Sequence, residues 1–202
     1  SLAFHPEFQN NAQPGFGKFY TSIMEHSPGG AALLGSSPSN QGAQSVLVEW
    51  TADVAGTGLA IPSSYREVFR VGLPIYDHPI KRIRFNEYAQ PGDEDYGLLY
   101  IAHGDGGTQS GGTGQVGGDA LGKLLRINPL DPDGAGAATY SIPATNPFLT
   151  NSNILDEVYA LGFRNPHNFD WQLDSTGTAH LILAEIGQNA IEELNPVEAG
   201  KN

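Results

Sequence analysis

The sequence predicts an all-β fold, on the basis of its composition and of a strand pattern that repeats. Its 202 residues include 26 glycines and 14 prolines, and only 16% of them are charged. This composition is typical of many short strands joined by turns and differs from that of a helix bundle. A chain of this length can bury one substantial hydrophobic core. We therefore expect a single all-β domain, and the repeat specifies its architecture.

Three segments share one design. Each has an apolar strand and a turn, followed by a second strand that ends in small or polar residues. They are SLAFHPEFQNN with GKFYTSIMEH, IKRIRFNEYAQPGDEDYGLLYIAHGDGG, and HNFDWQLDSTGTAHLILAEIGQN. If Phe4, Phe85 and Trp171 are equivalent, successive units lie 81 and 86 residues apart. Further strand candidates fill the intervals between these hairpins: Gln44–Trp50, Arg66–Gly72, Gly122–Asn128 and Glu157–Gly162.

Four strands per unit, recurring without helices, are the pattern of a β-propeller blade. A β-sandwich also contains many short strands, but it does not predict a recurring unit of this length. We predict about two and a half four-stranded antiparallel blades, with residues 1–202 forming part of one propeller domain that is incomplete at both ends. The extra length of each unit falls in loops such as 27–40 and 108–119, where function is usually located.

Charge and residue usage exclude several classes of function. The formal net charge is −12 with only 10 lysines and arginines, which argues against a nucleic-acid partner because affinity for phosphates depends on cations. Without cysteine, the chain has neither disulfides nor thiolate metal sites. No apolar run approaches the length of a membrane span. Residues 131–134, DPDG, lack the other ligands of an EF-hand loop and are interpreted as a turn.

Polar clusters fall where the predicted strands end, and in a propeller these ends surround one axial pocket. His78 precedes the second hairpin and Asp105 follows it. A histidine with a carboxylate partner is the usual arrangement of a general base, although such a pair can also be purely structural. Gly106 and Gly107 would let the backbone approach a ligand closely.

The cluster at 164–166 is predicted to form a stiff corner between two strands. Pro166 fixes its own φ and disfavours the helical region for Asn165. The corner can aim Arg164 and Asn165 at a ligand, or Arg164 can simply cap carbonyl groups. The remaining histidines are interpreted as solvated or packing residues, because none has a second ligand at metal spacing: His5, His26, His103, His167 and His180.

Taken in order, these clusters resemble the glucose/sorbosone dehydrogenase family of soluble quinoproteins. The matching segments include LAFHPEF, LLYIAHGDGG, LGKLLRINP, YSIPATNPF, DEVYALGFRNPHNFDW and AEIGQNAIEELNPVEAGKN, and together they cover essentially the whole chain. The resemblance implies a six-bladed propeller that holds pyrroloquinoline quinone (PQQ) and calcium over a central pocket. It implies a periplasmic or secreted enzyme that oxidises a sugar or related alcohol by hydride transfer to the quinone. An external quinone, dye or cytochrome would then accept the electrons.

The resemblance also implies roles for individual residues. His78 matches the general base, and Asp105 matches the aspartate that orients it. Arg164 and Asn165 match the pair that contacts the quinone, with Arg164 stabilising the negative charge that develops on its oxygen. The resemblance implies that the main-chain carbonyls of Gly187 and Gln188 are calcium ligands.

An alternative hypothesis is a propeller that binds a carbohydrate or a protein without turnover. Cationic quinone ligands in further blades would favour the enzyme. Because the cofactor must be held from all around the ring, the 202-residue chain alone is expected to be inactive even with PQQ and calcium supplied.

Overall fold

The computed structural model describes residues 1–26, 34, 43–108, 113–134, 138–187 and 191–202. Most of loop 27–40 and positions 109–112 of loop 108–119 lie outside the described residues. The strands in the described part are β1 (Leu2–Phe4), β2 (Lys18–His26), β3 (Ala43–Thr51), β4 (Arg66–Leu73), β5 (Ile80–Phe85), β6 (Leu99–His103), β7 (Lys123–Ile127), β8 (Val158–Leu161), β9 (Pro166–Leu173), β10 (Ala179–Glu185) and β11 (Glu193–Val197). Two three-residue 3-10 helices, Pro62–Ser64 and Thr113–Gln115, are the helical segments there, and neither has the length needed to cross a membrane.

The strands form three antiparallel sheets in which each strand pairs with its neighbour along the chain. The first sheet contains β1 to β4, the second contains β5 to β8, and the third contains β9 to β11. Two four-stranded sheets and one three-stranded sheet confirm the prediction of about two and a half antiparallel blades. The predicted strand Gln44–Trp50 is one residue shorter than β3 at each end. The predicted strand Arg66–Gly72 is one residue shorter than β4 at its last residue.

The proposed equivalence of three aromatic residues holds for two of them. Phe4 and Phe85 each end the first strand of their sheet, whereas Trp171 lies two residues before the end of β9. The hairpin loops explain the difference, because β9 and β10 are joined by a short turn after Leu173. The first two hairpins instead have long connections before Lys18 and Leu99.

The second sheet is covered on both faces, which explains why β6 reads as a continuous apolar run. Leu99 and Ile101 belong to the core shared with the first sheet. Tyr100 and Ala102 belong to the core shared with the third sheet. Alternate side chains of a strand point to opposite faces, so a strand covered on both faces is apolar at consecutive positions, as Leu99 to Ala102 are.

The third sheet is covered on one face in the described part of the chain. Phe169 and Trp171 of β9 are buried against the second sheet, while Asp170 between them is exposed. On β11, Leu194 is 75% exposed. This alternation is typical of a half-buried strand.

The three sheets contact one another chiefly through their first strands. β5 packs against β1 on one side and against β9 on the other. An ion pair of 3.0 Å between Arg84 and Asp170 joins β5 to β9. This packing brings the loops that precede β5 and β9 close together, and these loops carry His78, Arg164 and Asn165.

Candidate functional site

His78 lies in the loop between β4 and β5 and has a backbone conformation that is rare for a residue with a side chain. Its φ is +48°, and it is the one non-glycine residue with positive φ in the described part of the chain. Such strain often occurs at functional sites, where the surrounding structure maintains it. Gly104 packs directly against this residue, since a Cβ there would lie 2.6 Å from His78 Cβ. A larger residue at position 104 would displace the histidine.

Gly106 and Gly107 pack closely against the loop between β4 and β5. A Cβ at Gly106 would lie 2.4 Å from the ring of Pro74. A Cβ at Gly107 would lie 2.6 Å from the side chain of Ile75. Both glycines therefore accommodate the loop that carries His78, and their approach to a ligand stays a prediction.

A buried contact joins His78 to Asp105. His78 Nδ1 lies 2.5 Å from Asp105 Oδ1, and both side chains are almost completely buried. The same carboxylate oxygen accepts a hydrogen bond of 2.8 Å from the Gly107 N–H. An ionised aspartate accepts but does not donate, so the neutral ring carries its hydrogen on Nδ1 and its lone pair on Nε2. Asp77 Oδ2 lies 3.6 Å from that Nε2.

The corner at 164–166 lies directly beside this pair. The Asp105 N–H donates a hydrogen bond of 2.7 Å to the Arg164 carbonyl. Arg164 Nη1 donates to the Ile186 carbonyl at 3.0 Å, so part of the guanidinium caps a carbonyl group. The structure thus brings His78, Asp105 and Arg164 together with the residue that precedes Gly187.

Two polar atoms of the corner are buried without a partner among the described residues. They are Arg164 Nε, a donor, and Asn165 Oδ1, an acceptor. Leaving such an atom unpaired costs on the order of 1–3 kcal/mol, so a bound polar molecule that reaches both would recover that free energy. A neighbouring cavity of about 280 Å³ is lined by Gly162, Arg164, Glu185, Ile186, Gly187, Ile191 and Glu193.

Glu185 lies in the segment AEIGQNAIEELNPVEAGKN, but the sequence assigned it no role. Its carboxylate accepts hydrogen bonds from the N–H groups of Arg164 and Asn165. Burial raises the pKa of this carboxyl group, and the two N–H donors oppose that shift. In the sequence, the one indication of a role for Glu185 was its position just before Ile186 and Gly187. That position did not show that its side chain contacts the corner at 164–166.

The residues implied as calcium ligands are described only in part. The Gly187 N–H donates to Glu192 Oε2 at 3.2 Å, and Gln188 lies outside the described residues. Among the residues that are described, no three His, Asp or Glu side chains are grouped to hold a metal ion. The calcium site therefore stays a prediction.

The other histidines lie apart from this contact or pack differently. His103 is fully buried, and burial lowers its pKa to about 4. His5 is also buried, and its ring packs edge-on against Phe85. The ring of His26 packs at a tilt against Tyr76, with ring centroids 4.5 Å apart. The exposed histidines of the third sheet are His167 and His180.

Known proteins resemble the chain in both sequence and fold. The HIPL1 protein of Arabidopsis thaliana is 28% identical over the whole of this chain, which spans 31% of that protein. A solved structure of glucose dehydrogenase aligns with all of the chain at a TM-score of 0.66 and 22% identity, and the chain covers 47% of it. The PQQ-bound form of aldose sugar dehydrogenase from Streptomyces coelicolor aligns at a TM-score of 0.58 and 21% identity, again over the whole chain and 46% of that structure.

The chain thus spans about a third of that curated relative and just under half of the solved structures. The likeness to the solved structures identifies the fold as a β-propeller. The family described as Glucose / Sorbosone dehydrogenase matches residues 77–202, which include His78, Asp105 and the 164–166 corner. The chain therefore belongs to the Glucose / Sorbosone dehydrogenase family.

Proposed function

We propose that the protein containing this chain oxidises a sugar or related alcohol with PQQ as the electron acceptor in its site. The observation that carries the proposal is the buried contact of 2.5 Å between His78 Nδ1 and Asp105 Oδ1. It joins a histidine on a strained loop before β5 to a carboxylate that follows β6. Family membership and the PQQ bound to the Streptomyces relative support the choice of cofactor.

The polar atoms beside this pair fit PQQ, which carries carboxylates and carbonyl oxygens as well as ring nitrogens. Arg164 Nε is a charged donor without a partner among the described residues, and it suits an anionic oxygen. The unpartnered Asn165 Oδ1 suits an N–H donor. When bound, PQQ supplies a quinone that accepts a hydride. We propose that Arg164 and Asn165 hold it at the corner.

His78 would take the proton from the substrate hydroxyl group while a hydride leaves the carbon atom that bears this hydroxyl group. The lone pair on Nε2 makes this nitrogen the proton acceptor. Asp105 would hold the ring in the required tautomer and stabilise the imidazolium that forms. The positive charge of Arg164 would stabilise negative charge that develops near the corner. The main-chain carbonyls of Gly187 and Gln188 would bind calcium, a cation that prefers oxygen ligands.

A cofactor titration of the full-length protein tests the proposal. The protein is titrated with PQQ in the presence and absence of calcium, while the absorbance of the quinone is followed. Dye reduction is then measured with a panel of aldoses and polyols. We expect saturable PQQ binding and substrate-dependent dye reduction. Carbohydrate binding without PQQ binding would contradict the proposal and favour a binding module.

The proposal also covers the substrate, the external electron acceptor and the cellular location. A small sugar or alcohol is the substrate, and an external quinone, dye or cytochrome reoxidises the cofactor. A periplasmic or secreted location stays a prediction, which fractionation of expressing cells would test. The chain on its own is expected to lack activity, because a cofactor at the axis needs contacts from the rest of a propeller ring.

A further inference from the structure

We infer that Glu185 is a positioning residue that holds Arg164 and Asn165 in the orientation needed to bind the cofactor. The carboxylate lies at the end of β10 and accepts hydrogen bonds from both main-chain N–H groups of the corner. The bond to Asn165 N–H is 3.3 Å long. The inference rests on the proposed function, because it concerns how the cofactor contacts are arranged.

The backbone that follows Glu185 binds the same corner. The Ile186 N–H donates a hydrogen bond of 3.2 Å to the Asn165 carbonyl. The Ile186 carbonyl accepts a hydrogen bond of 3.0 Å from Arg164 Nη1. Two consecutive residues therefore contact the corner through a side chain, a main-chain donor and a main-chain acceptor. Arg164 Nε and Asn165 Oδ1 remain as buried atoms of the corner without a partner among the described residues.

The strand pairing explains why a side chain is needed here. The register between β9 and β10 shifts at its end, where Ala184 pairs with Asn168 but Glu185 pairs with Pro166. Pro166 has no N–H, so it cannot donate to the ladder at this point. The carboxylate of Glu185 supplies the acceptor for the two N–H groups that precede the proline. The hydrogen bonds thus replace regular pairing at the place where the strand becomes the corner.

Two conservative substitutions distinguish the effect of the length of the Glu185 side chain from the effect of its charge. Glu185→Gln keeps an acceptor oxygen at the same distance along the side chain and removes the charge. Glu185→Asp keeps the charge, but its shorter side chain withdraws the carboxylate from the corner. If Glu185 acts by holding the two N–H groups, Gln is the mild substitution and Asp is the harmful one.

Glu193 provides the matched control. It pairs directly with Glu185 across β10 and β11, and it lines the same cavity. Its carboxylate accepts a hydrogen bond from Asn195, on its own strand. Glu193→Asp therefore shortens a carboxylate at the same place without affecting the acceptor of the corner N–H groups.

The first measurement is amide hydrogen exchange in the full-length protein without cofactor. In Glu185→Asp, the N–H groups of Arg164 and Asn165 should exchange at least tenfold faster than in the wild type. In Glu185→Gln and Glu193→Asp, they should exchange within about threefold of the wild-type rate. Wild-type protection in Glu185→Asp would overturn the inference, whatever the cofactor does.

The second measurement is PQQ affinity by fluorescence titration of the same variants. We expect Kd to rise at least tenfold in Glu185→Asp and to stay within about threefold in Glu185→Gln and Glu193→Asp. A loss in Glu185→Gln as large as that in Glu185→Asp would contradict the positioning role, because Glu185→Gln keeps the acceptor oxygen and removes only the charge. If the wild type itself binds no PQQ, the proposed function is wrong, and the exchange rates alone decide whether Glu185 holds the corner.

Discussion

Two buried histidines, His78 and His103, lie close to Asp105 but differ in what they contact. His78 Nδ1 contacts the carboxylate of Asp105 at 2.5 Å, in a loop with positive φ. His103 lies at the end of β6, and its Nδ1 contacts the Gly104 carbonyl at 2.7 Å. His103 Nε2 is buried with no partner among the described residues. A carbonyl group fixes a neutral ring, whereas a carboxylate also stabilises a protonated one.

The difference teaches that burial alone does not make a histidine a base. Burial is the main reason that the pKa of His103 falls to about 4, and the nearby charge of Lys123 lowers it further. A proton on His103 Nε2 would place a charge in the core without a counter-ion. A proton on His78 Nε2 would instead form an imidazolium whose Nδ1–H contacts the carboxylate of Asp105. We therefore propose the loop residue His78 as the base and expect the strand residue His103 to contribute to packing.

The largest expected effect is the loss of turnover on replacing His78. Glutamine places an amide near the position of Nε2 but has no basic nitrogen. In the PQQ-loaded full-length protein, His78→Gln should lower kcat about 10³-fold, since general base catalysis typically contributes 10²- to 10⁴-fold. PQQ affinity should change little. Steady-state dye reduction and quinone titration measure both quantities.

The matched control for that variant is His103→Asn. The amide of asparagine can replace Nδ1 as the donor to the Gly104 carbonyl. We expect kcat to stay within about threefold of the wild type. A loss in His103→Asn as large as that in His78→Gln would erase the distinction between the two histidines.

The second effect concerns stability at acidic pH. The pKa of His103 is about 4 in the folded protein and 6.5 in its ordinary state, so the unfolded chain binds more protons between these values. The contribution of the neutral ring is complete above pH 6.5 and is lost as the pH falls towards 4. By the linkage relation, this loss amounts to at most about 3 kcal/mol.

Denaturant unfolding of the full-length protein between pH 7 and pH 4 measures this contribution. Other groups also titrate in this range, so the informative quantity is the difference between the wild type and His103→Asn. That difference should shrink by up to about 3 kcal/mol on acidification. A difference that does not depend on pH would show that His103 is not held neutral by burial.

The smallest expected effect concerns the corner beside Asp105. Arg164→Ala removes a charged donor whose Nε has no partner among the described residues. PQQ Kd should rise about tenfold, because a hydrogen bond to a charged group typically contributes about 1.5–3 kcal/mol. Turnover at saturating PQQ should also fall. This pattern would separate a cofactor contact from His78, whose replacement should affect turnover alone.

Much of the fold could be predicted from the sequence because its signals are local. The continuous apolar run of β6 and the alternation in β9 give the strands, and Pro166 marks the start of β9. The recurrence of four strands gives the architecture. The proximity of His78 and Asp105 could also be expected, because His78 precedes β5 and Asp105 follows β6, at the two ends of one hairpin.

The remaining features depend on contacts between distant parts of the chain. The positive φ of His78 arises where its loop packs against Gly104, and no pattern around position 78 encodes it. The contact of Gly106 with Pro74 could not be predicted, because a glycine signals a close approach without identifying the neighbour. The reach of Glu185 to the corner depends on a register shift between β9 and β10. Such a shift is set by the packing of the sheet.

The central claim is that His78, and not His103, takes the proton when substrate is oxidised. The most direct measurement is the reduction of bound PQQ in a single turnover, followed by absorbance after mixing with substrate without an external acceptor. With the same amount of PQQ bound, the wild type and His103→Asn should reduce the quinone at similar rates, and His78→Gln should do so about 10³-fold more slowly. Reduction by His78→Gln at the wild-type rate would contradict the claim.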